Sequence, residues 1–180
     1  MRFDIHHSVG IVVDIQERLL PHIHDHEATT ARCAMLIRGL RVLDVPLLIT
    51  EQYVKGLGST VPPIAEALGT YTASEKLTFS CCGDGAFESE LLSLARHHVI
   101  VMGIEAHVCV QQTVLDLLAT GNQVAVVEDC VSSRRENDKR VAIERMRQAG
   151  AIITTAESIL FELLRKAGTD TFKQISALVK

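Results

Sequence analysis

The segment GIEAHVCV, residues 103–110, places a thiol between two different patterns. The apolar run at 97–103 predicts a buried strand, and residues 110–121 have the spacing of an amphipathic helix. Cys109 is therefore expected where a strand ends and a helix begins. The helix dipole and free N–H groups at such a position favour a thiolate, which is a strong nucleophile. The alternative interpretation of Cys109 is a small buried hydrophobic residue.

Asp14 is the second residue whose type and position could do chemistry. It closes the apolar run GIVV, where a buried carboxylate must be paired or hydrogen-bonded. A general base and a cap for the following turn are both compatible with this position. Lys76 lies between apolar neighbours in YTASEKLTFS, and the residues alone indicate an ordinary surface lysine.

Short apolar runs alternate with longer amphipathic segments along the whole chain. The predicted strands are residues 8–15, 45–50, 97–103, 123–129 and 151–156. The predicted helices between and after them include residues 27–44, 61–68, 84–96, 135–150 and 157–168. This order predicts an α/β fold, in which a single Rossmann-like parallel sheet has helices on both faces in three αβα layers. No linker interrupts residues 1–180, so one domain is expected.

The carboxyl ends of parallel strands are the edge at which such sheets bind ligands. The residues expected there are Asp14, Thr50, Glu51, Glu105, Cys109, Glu128, Asp129 and Cys130. Both residues singled out for chemistry, Asp14 and Cys109, belong to this set.

Composition excludes several classes of protein. The formal net charge is −4, and the charged stretch 133–140 has signs that cancel, so a solvated loop and no binding of nucleic acid are expected. No apolar run is long enough for a signal peptide or a membrane span. Five cysteines, an odd number, favour free thiols in a reducing compartment, and the cytoplasm is the expected location. The adjacent pairs His6–His7 and His97–His98 are not expected to chelate a metal.

Three motifs together resemble the isochorismatase-like family of cysteine hydrolases, which includes the nicotinamidases. They are VVDIQ with Asp14, EKLTFS with Lys76 and GIEAHVCV with Cys109. The resemblance extends over almost the whole chain. Further segments, such as TEQYVKGLGSTVP and EDCVSSR, are similar to the branch called isochorismatase-domain-containing proteins.

The resemblance implies a catalytic triad and an oxyanion hole. Cys109 would attack the carbonyl carbon of a small amide or related substrate through a thioester-like intermediate. Asp14 would take the thiol proton, and Lys76 would stabilise the resulting anions. The family places a cis peptide at the bond that is Ile104–Glu105 here, with the backbone N–H groups of Glu105 and Cys109 facing the substrate oxygen. The three side chains should form one cluster with a negatively charged sulfur.

Two departures from the family pattern narrow the expected chemistry. Nicotinamidases hold a metal with an Asp and two His after the second strand, whereas TEQYVKGLG contains no histidine, so we expect neither a catalytic metal nor any other cofactor. Isochorismatases that cleave a vinyl ether lack the cysteine, so Cys109 favours acyl transfer. Residues expected at the pocket mouth, with loop packing as the alternative, are Gln16, Gln52, Tyr53 and Phe79.

A second class of function stays open at this point. The chain could be a non-catalytic oligomeric interaction module that retains the hydrolase fold. Family members are usually oligomers, so a homo-oligomer, a dimer or larger, is expected in either case. The apolar residues Ile159, Phe161 and Phe172 are candidates for docking on a neighbour. A redox role for Cys109 with Cys82 or Cys130 is a third possibility.

Overall fold

The computed structural model describes residues 2–180 and confirms the predicted α/β architecture. Six parallel strands form one sheet in the order β3-β2-β1-β4-β5-β6. The strands are β1 Ser8–Val13, β2 Leu47–Gln52, β3 Ala73–Lys76, β4 His98–Ile104, β5 Gln123–Ser132 and β6 Ile152–Thr154. Within residues 2–180, no helix has the length and apolar character needed to cross a membrane.

Helices cover both faces of the sheet and make the outer layers. They are α1 His26–Val42, α2 Val54–Leu57, α3 Pro62–Leu68, α4 Gly85–Leu94, α5 Gln111–Ala119, α6 Glu136–Gln148, α7 Ala156–Leu164 and α8 Asp170–Leu178. Helices α1, α3, α7 and α8 supply apolar side chains to the core on one face. Helices α4, α5 and α6 supply the core on the other face. Each crossover between parallel strands thus has helical cover, which parallel sheets need.

The two central strands, β1 and β4, are buried along their entire length. Their side chains alternate between the two cores: Val99 and Val101 enter one, whereas Ile100, Met102 and Ile104 enter the other. This period of two follows from the pleat of a strand. Because the strands run in parallel, their carboxyl ends, and the residues that follow them, meet at one edge.

The sequence interpretation missed strand β3, which forms one edge of the sheet and pairs with β2 from Ile49 to Gln52. Its four residues, ASEK, contain only one apolar residue, and only Lys76 is buried. A short edge strand does not need the apolar run that identified the other strands. The consequence for the site is large, because β3 places Lys76 at the same edge as Asp14.

The expectation that apolar residues of the last segment are exposed was wrong for Ile159. This side chain is buried in the core, where α7 packs against α1. Helix α8, which was not predicted, folds back on α1 and α7. Phe161 and Phe172 are partly buried and contact each other edge to face, with ring centroids 6.3 Å apart. The docking residues proposed from sequence are therefore largely used within the chain.

Candidate active site

Three chain segments converge at the carboxyl edge of the sheet and carry Asp14, Lys76 and Cys109. Asp14 follows β1 directly, Lys76 is the last residue of β3, and Cys109 lies in a π-helical turn, Ala106–Val110, between β4 and α5. The Lys76 Nζ donates to Asp14 Oδ2 at 2.7 Å, and neither side chain is exposed to solvent. Cys109 is 6% exposed and lies close enough for the charges of both to act on its thiol.

Asp14 is held by backbone and side-chain bonds from the neighbouring strand. Its φ of 52° is in the left-handed region, which Asp tolerates better than most residues. Its N–H donates to the Thr50 carbonyl at 3.2 Å, and the Thr50 hydroxyl donates to Asp14 Oδ1 at 2.7 Å. Together with the bond from Lys76, each carboxylate oxygen has a donor. A buried carboxylate needs such partners to remain ionised.

Lys76 is surrounded by acceptors that fix its ammonium group. Besides Asp14, Nζ has the Gln52 side-chain oxygen at 2.7 Å and the carbonyls of Thr78 and Phe79 at 3.2 and 3.1 Å within donating distance. Burial is the largest single influence and disfavours the charged amine, but the Asp14 carboxylate, together with the sulfurs of Cys81 and Cys109, outweighs it and raises the pKa of Lys76 above its ordinary value. The lysine is therefore a fixed cation and not a proton donor near neutral pH.

The π-helical turn around Cys109 leaves backbone donors free. The Glu105 carbonyl accepts from the N–H groups of Val108 and Val110, at 3.0 and 3.2 Å, but not from the Cys109 N–H that lies between them. The N–H of Glu105 makes no hydrogen bond within residues 2–180. The Ile104–Glu105 peptide bond is cis. The Glu105 N–H, one of the two groups expected to bind a developing oxyanion, is thus available for an external acceptor, and the Cys109 N–H is not bonded to the Glu105 carbonyl.

The acid–base state of Cys109 runs against the expected resting thiolate. Burial and the nearby Asp14 carboxylate raise the pKa of the Cys109 thiol well above its ordinary value, and the opposing effect of Lys76 does not compensate. The expected thiolate rested on the helix terminus and, through the family resemblance, on the ammonium of Lys76. The sequence alone could not weigh desolvation against two neighbouring charges of opposite sign. The thiol rests neutral beside a carboxylate that can accept its proton.

Gly103 allows β4 to approach β1 at the base of the site. A Cβ atom on this residue, whose φ is +125°, would lie 2.1 Å from the Val13 carbonyl oxygen. Only glycine permits this contact and this backbone conformation. Since Val13 immediately precedes Asp14, the glycine keeps the cysteine turn close to the carboxylate.

Sequence reasoning missed the contacts that anchor the cysteine turn. The Glu105 side chain is nearly buried and accepts from Arg134 Nε at 2.9 Å, and His107 Nδ1 lies 2.9 Å from the Ser133 hydroxyl. These partners belong to the stretch 133–140 that was interpreted as a solvated loop. The cancelling charges gave no indication that one of its arginines pairs with a residue of the site.

Two further missed residues, Thr113 and Cys81, connect the cysteine turn to the chain that follows Lys76. The Thr113 hydroxyl donates to the Cys109 carbonyl at 2.7 Å and accepts from the Cys81 N–H at 2.9 Å. Cys81 is fully buried, its sulfur lies 3.6 Å from the Thr50 hydroxyl, and burial raises the pKa of its thiol to about 11. The adjacent cysteines at 81–82 lack the spacing of a redox or zinc motif, so no local pattern identified Cys81.

The four residues expected at the pocket mouth divide into two groups. Gln16 is buried, and its amide bonds to backbone atoms of Gln52 and Gly58 at 2.6–3.0 Å, which favours the loop-packing alternative. Gln52 uses its side chain to bond Lys76 and the Leu77 carbonyl. Tyr53 and Phe79, in contrast, are about half exposed and free to contact a ligand.

The His, Cys, Asp and Glu side chains of residues 2–180 form no metal site, and the five cysteines form no disulfide. Within residues 2–180, no group of three or more His, Cys, Asp or Glu side chains is arranged to hold a metal ion. Glu51, at the end of β2, accepts instead from the backbone and hydroxyl of Thr60 at 2.7 Å. Cys130 lies in the core on the other face of the sheet, where its carbonyl accepts from Cys33.

Comparison with known proteins is consistent with the motifs and the geometry. The pattern of the isochorismatase domain family matches residues 8–158. The mouse protein called isochorismatase domain-containing protein 2A is 40% identical over 174 residues, which are 96% of this chain and 82% of the mouse protein. The resemblance inferred from the sequence motifs is therefore confirmed.

Two solved structures show how closely the fold is shared. A structure from Caenorhabditis elegans that is called MAR1 ribonuclease has a TM-score of 0.94 and 39% identity, and the match covers 99% of this chain and 92% of that one. The YcaC gene product of Escherichia coli, described as an octameric hydrolase of unknown specificity, has a TM-score of 0.89 and 22% identity, with coverage of 99% and 87%. At that identity the second match shows the fold alone.

Proposed function

Because the chain belongs to the isochorismatase domain family, we propose that it is a metal-free cysteine hydrolase acting on a small amide or related carbonyl compound. The fold and the family support a hydrolase in general. The proposal adds three points to this. The catalytic triad is Asp14, Lys76 and Cys109, the intermediate is thioester-like, and the bond cleaved is a non-peptide C–N bond.

The observation that carries the proposal is the buried ion pair beside a thiol. Removing Asp14 and Lys76 from water costs several kcal/mol per ion before their attraction is counted. An apolar pair would fill the same space at no such cost. Buried ionisable groups with a specific charge partner, at the edge where parallel sheets bind ligands, are candidates for a functional site. The neutral Cys109 thiol beside the carboxylate gives this pair a chemical task.

The first half of the reaction forms an acyl-enzyme. As the Cys109 sulfur attacks the carbonyl carbon, its proton passes to Asp14, and the carbonyl oxygen becomes an oxyanion held by the N–H groups of Glu105 and Cys109. The tetrahedral intermediate then collapses, the C–N bond breaks, and Asp14 returns the proton to the leaving amine. Lys76 stays charged throughout and holds Asp14 in place through the bond from Nζ to Oδ2.

The second half restores the thiol. Asp14 takes a proton from a water molecule as that water attacks the thioester carbon, and the same N–H groups hold the second oxyanion. Breakage of the C–S bond releases a carboxylic acid, and the proton on Asp14 returns to the Cys109 sulfur. A neutral resting thiol suits this scheme because one carboxylate transfers the proton in both directions.

The experiment is a hydrolysis screen of small amides, hydroxamates and ureides with the wild type and Cys109→Ser. A compound turned over by the wild type should lose about 10³-fold or more in rate with the variant. Intact-mass spectrometry after rapid quenching should show an acyl adduct on the protein, and digestion followed by peptide mass spectrometry should place it on Cys109. The matched control is Cys82→Ser, which alters a partly exposed thiol that is not part of the proposed triad and should keep full activity. Equal turnover by wild type and Cys109→Ser would refute the role of the thiol.

A ribonuclease is the second candidate, since the similar C. elegans structure is called one. Phosphodiester cleavage requires cations that are free to bind phosphate. The cations bonded to the site, Lys76 and Arg134, are each paired with a carboxylate, and the formal net charge is −4. We therefore place amide hydrolysis first. Incubation with a fluorescent single-stranded RNA decides the matter, because cleavage that disappears in Cys109→Ser would favour the ribonuclease.

The non-catalytic interaction module remains the alternative outside enzymology. It predicts that Cys109→Ser changes no turnover while assembly is unaffected. We also propose a homo-oligomer, with the octameric E. coli protein of the same fold as support, to be tested by light scattering after size-exclusion chromatography. All five cysteines are free, which supports the cytoplasm as the proposed compartment.

A further inference from the structure

Three large apolar side chains project into solvent beside the candidate active site. Tyr53 is 49% exposed, Leu77 is 74% exposed and Phe79 is 55% exposed. They make up half of the large apolar side chains that are exposed in residues 2–180; the others are Leu92, Val141 and Ile152. Single exposed apolar residues need no explanation, but a group of them marks a surface that binds something.

Backbone bonds tie all three residues to Lys76 or to its neighbour Gln52. The Tyr53 N–H donates to the Lys76 carbonyl at 3.0 Å, and the Phe79 carbonyl lies 3.1 Å from Lys76 Nζ. The Leu77 carbonyl accepts from the Gln52 side chain at 2.9 Å. The backbone of these three residues is therefore held by Lys76 of the proposed triad and by Gln52, which also bonds the ammonium.

The segment that carries Leu77 and Phe79 also reaches the cysteine turn. It runs from Lys76 to Cys81, whose N–H donates to Thr113, and the Thr113 hydroxyl donates to the Cys109 carbonyl. One end of this four-residue connection, residues 77–80, is fixed at Lys76. The other end is fixed at Cys81, which contacts the cysteine turn through Thr113. Residues 77–80, called the bridge below, thus connect Lys76 to the residues that contact the cysteine turn, and the exposed apolar side chains of the bridge are Leu77 and Phe79.

The charges at the site are already matched within the chain. Lys76 pairs with Asp14 at 2.7 Å, and Arg134 pairs with Glu105 at 2.9 Å. A carboxylate or phosphate on a substrate would have to compete with these carboxylates for a cation. A substrate amine would in turn have to compete with Lys76 and Arg134 for an acid. Lys76 is buried beside Asp14, and Arg134, although 59% exposed, already donates through Nε to Glu105, so a charged group on a substrate would meet an ion that already has a partner.

We propose that the site selects an uncharged carbonyl compound that bears an apolar or aromatic group, and that Tyr53, Leu77 and Phe79 bind this group. The inference rests on the proposed function, because it assumes that the reacting carbon is delivered to Cys109. The apolar part of the substrate would lie against the bridge, and the substrate carbonyl would then reach the N–H groups of Glu105 and Cys109. Burial of an aromatic ring against these side chains supplies affinity without a charge partner.

The test compares two alkylating probes with the same reactive group. N-benzyl-2-chloroacetamide is neutral and aromatic, whereas N-chloroacetylglycine carries a carboxylate at neutral pH. In both, the Cys109 sulfur forms the S–C bond, the C–Cl bond breaks, chloride leaves, and the thiol proton passes to Asp14 or to buffer. Labelling of each cysteine is followed by peptide mass spectrometry, and rates are divided by those for glutathione to remove intrinsic reactivity.

We expect the benzyl probe to label Cys109 about tenfold faster than the anionic probe after this correction. Leu77→Ser and Phe79→Ser should each reduce the ratio towards one. The matched control is Leu92→Ser, since Leu92 is as exposed as Leu77 but lines a different cavity with His97 at the other end of β4. This control should keep the full ratio.

Each other outcome overturns the inference in an identifiable way. If Cys109 is labelled with no preference, or with preference for the anionic probe, the substrate class is wrong while the nucleophile stands. If Cys109 reacts with neither probe faster than Cys82 does, the proposed hydrolase function fails and the inference fails with it. If Phe79→Ser keeps the labelling ratio of the two probes but lowers the mass of the assembly measured by light scattering, then Tyr53, Leu77 and Phe79 form a contact between copies of the chain.

Discussion

Strands β1 and β4 lie side by side, and each end of this pair carries a group of ionisable side chains. At the carboxyl end, Asp14 and Lys76 are buried beside Cys109, and both carboxylate oxygens have donors. At the amino end, Asp4 contacts His7 at 2.8 Å and lies 3.6 Å from His98. The ring centroids of His7, His97 and His98 are 4.8–5.9 Å apart.

The two ends differ in how completely their polar atoms are bonded. The carboxyl-end pair is bonded from three strands and has no access to solvent. At the amino end, His98 is 6% exposed, and its Nδ1 has no hydrogen-bond partner within residues 2–180. Removing one partner of a buried, fully bonded ion pair lowers the free energy of unfolding by several kcal/mol. Protonation of a buried imidazole whose Nδ1 has no partner lowers it by less. Stability should therefore respond mainly to substitutions that remove a charge at the carboxyl end, and mainly to pH at the amino end.

The largest effect is expected from Lys76→Met, which removes the cation and leaves the Asp14 carboxylate buried without a counter-charge. Loss of one partner of a buried pair destabilises by about 3–5 kcal/mol. Urea unfolding at pH 7 measures this free energy. The double variant Asp14→Asn with Lys76→Met should recover part of the loss, because no buried charge is left and Asn also tolerates the left-handed φ.

An equally large loss in the double variant would contradict the explanation, because the cost would then come from the methionine itself. The matching change at the amino end is Asp4→Asn, which removes a partly exposed carboxylate from its histidine partners. Partly exposed ion pairs contribute about 0–1 kcal/mol, so this variant should unfold close to the wild type. A loss comparable to that of Lys76→Met would remove the contrast between the two ends.

A smaller effect is expected from Thr50→Val, which keeps the shape of the side chain and deletes the donor to Asp14 Oδ1. An unsatisfied buried acceptor costs about 1–3 kcal/mol. Alkylation of Cys109 by iodoacetamide should also slow, because the carboxylate that accepts the thiol proton is held less firmly. Thr50→Ser keeps the hydroxyl and should restore the alkylation rate even if the lost methyl group costs some stability. Slow alkylation in both variants would assign the effect to packing.

The sequence predicted the sheet edge and two of the three central residues on physical grounds. Asp14 and Cys109 each follow a long apolar run, and such runs identify buried parallel strands. Lys76 could not be placed this way, because strand β3 consists of polar residues at an edge and lacks that signal. Its role came from the family resemblance, and its burial at 1% exposure came from the structure.

Contacts between distant segments were beyond the reach of local patterns. Three contacts of the site join residues that are 29–36 positions apart in the sequence: Arg134 with Glu105, Thr113 with Cys81, and Thr50 with Asp14. No periodicity in the sequence indicates such pairings. Local patterns also gave no sign that the ring of His7 lies 5.2 and 5.9 Å from the rings of His97 and His98. The neutral state of Cys109 was missed for the same reason, because desolvation depends on the assembled core.

The smallest effect concerns His98 and appears only in acid. Burial, followed by the neighbouring His97 and His7, lowers the pKa of His98 below 6.5, although Asp4 and Glu162 act in the opposite direction. The unfolded chain then binds a proton at this residue more readily than the folded protein does. Stability should therefore fall as the pH drops below about 6.5, and the loss should level off once the pH is below the folded-state value.

His98→Leu removes this titration while filling the space beside Phe3, whose ring centroid lies 4.9 Å from that of His98. The difference in unfolding free energy between pH 7.5 and pH 5 should be smaller for this variant than for the wild type. The lowered pKa of Asp4 acts in a separate window below 3.8, so it does not enter this comparison. Exposed His22, changed to Leu, is the matched control and should leave the pH dependence unaltered. An identical pH dependence in wild type and His98→Leu would show that the unbonded imidazole at the amino end has no energetic consequence.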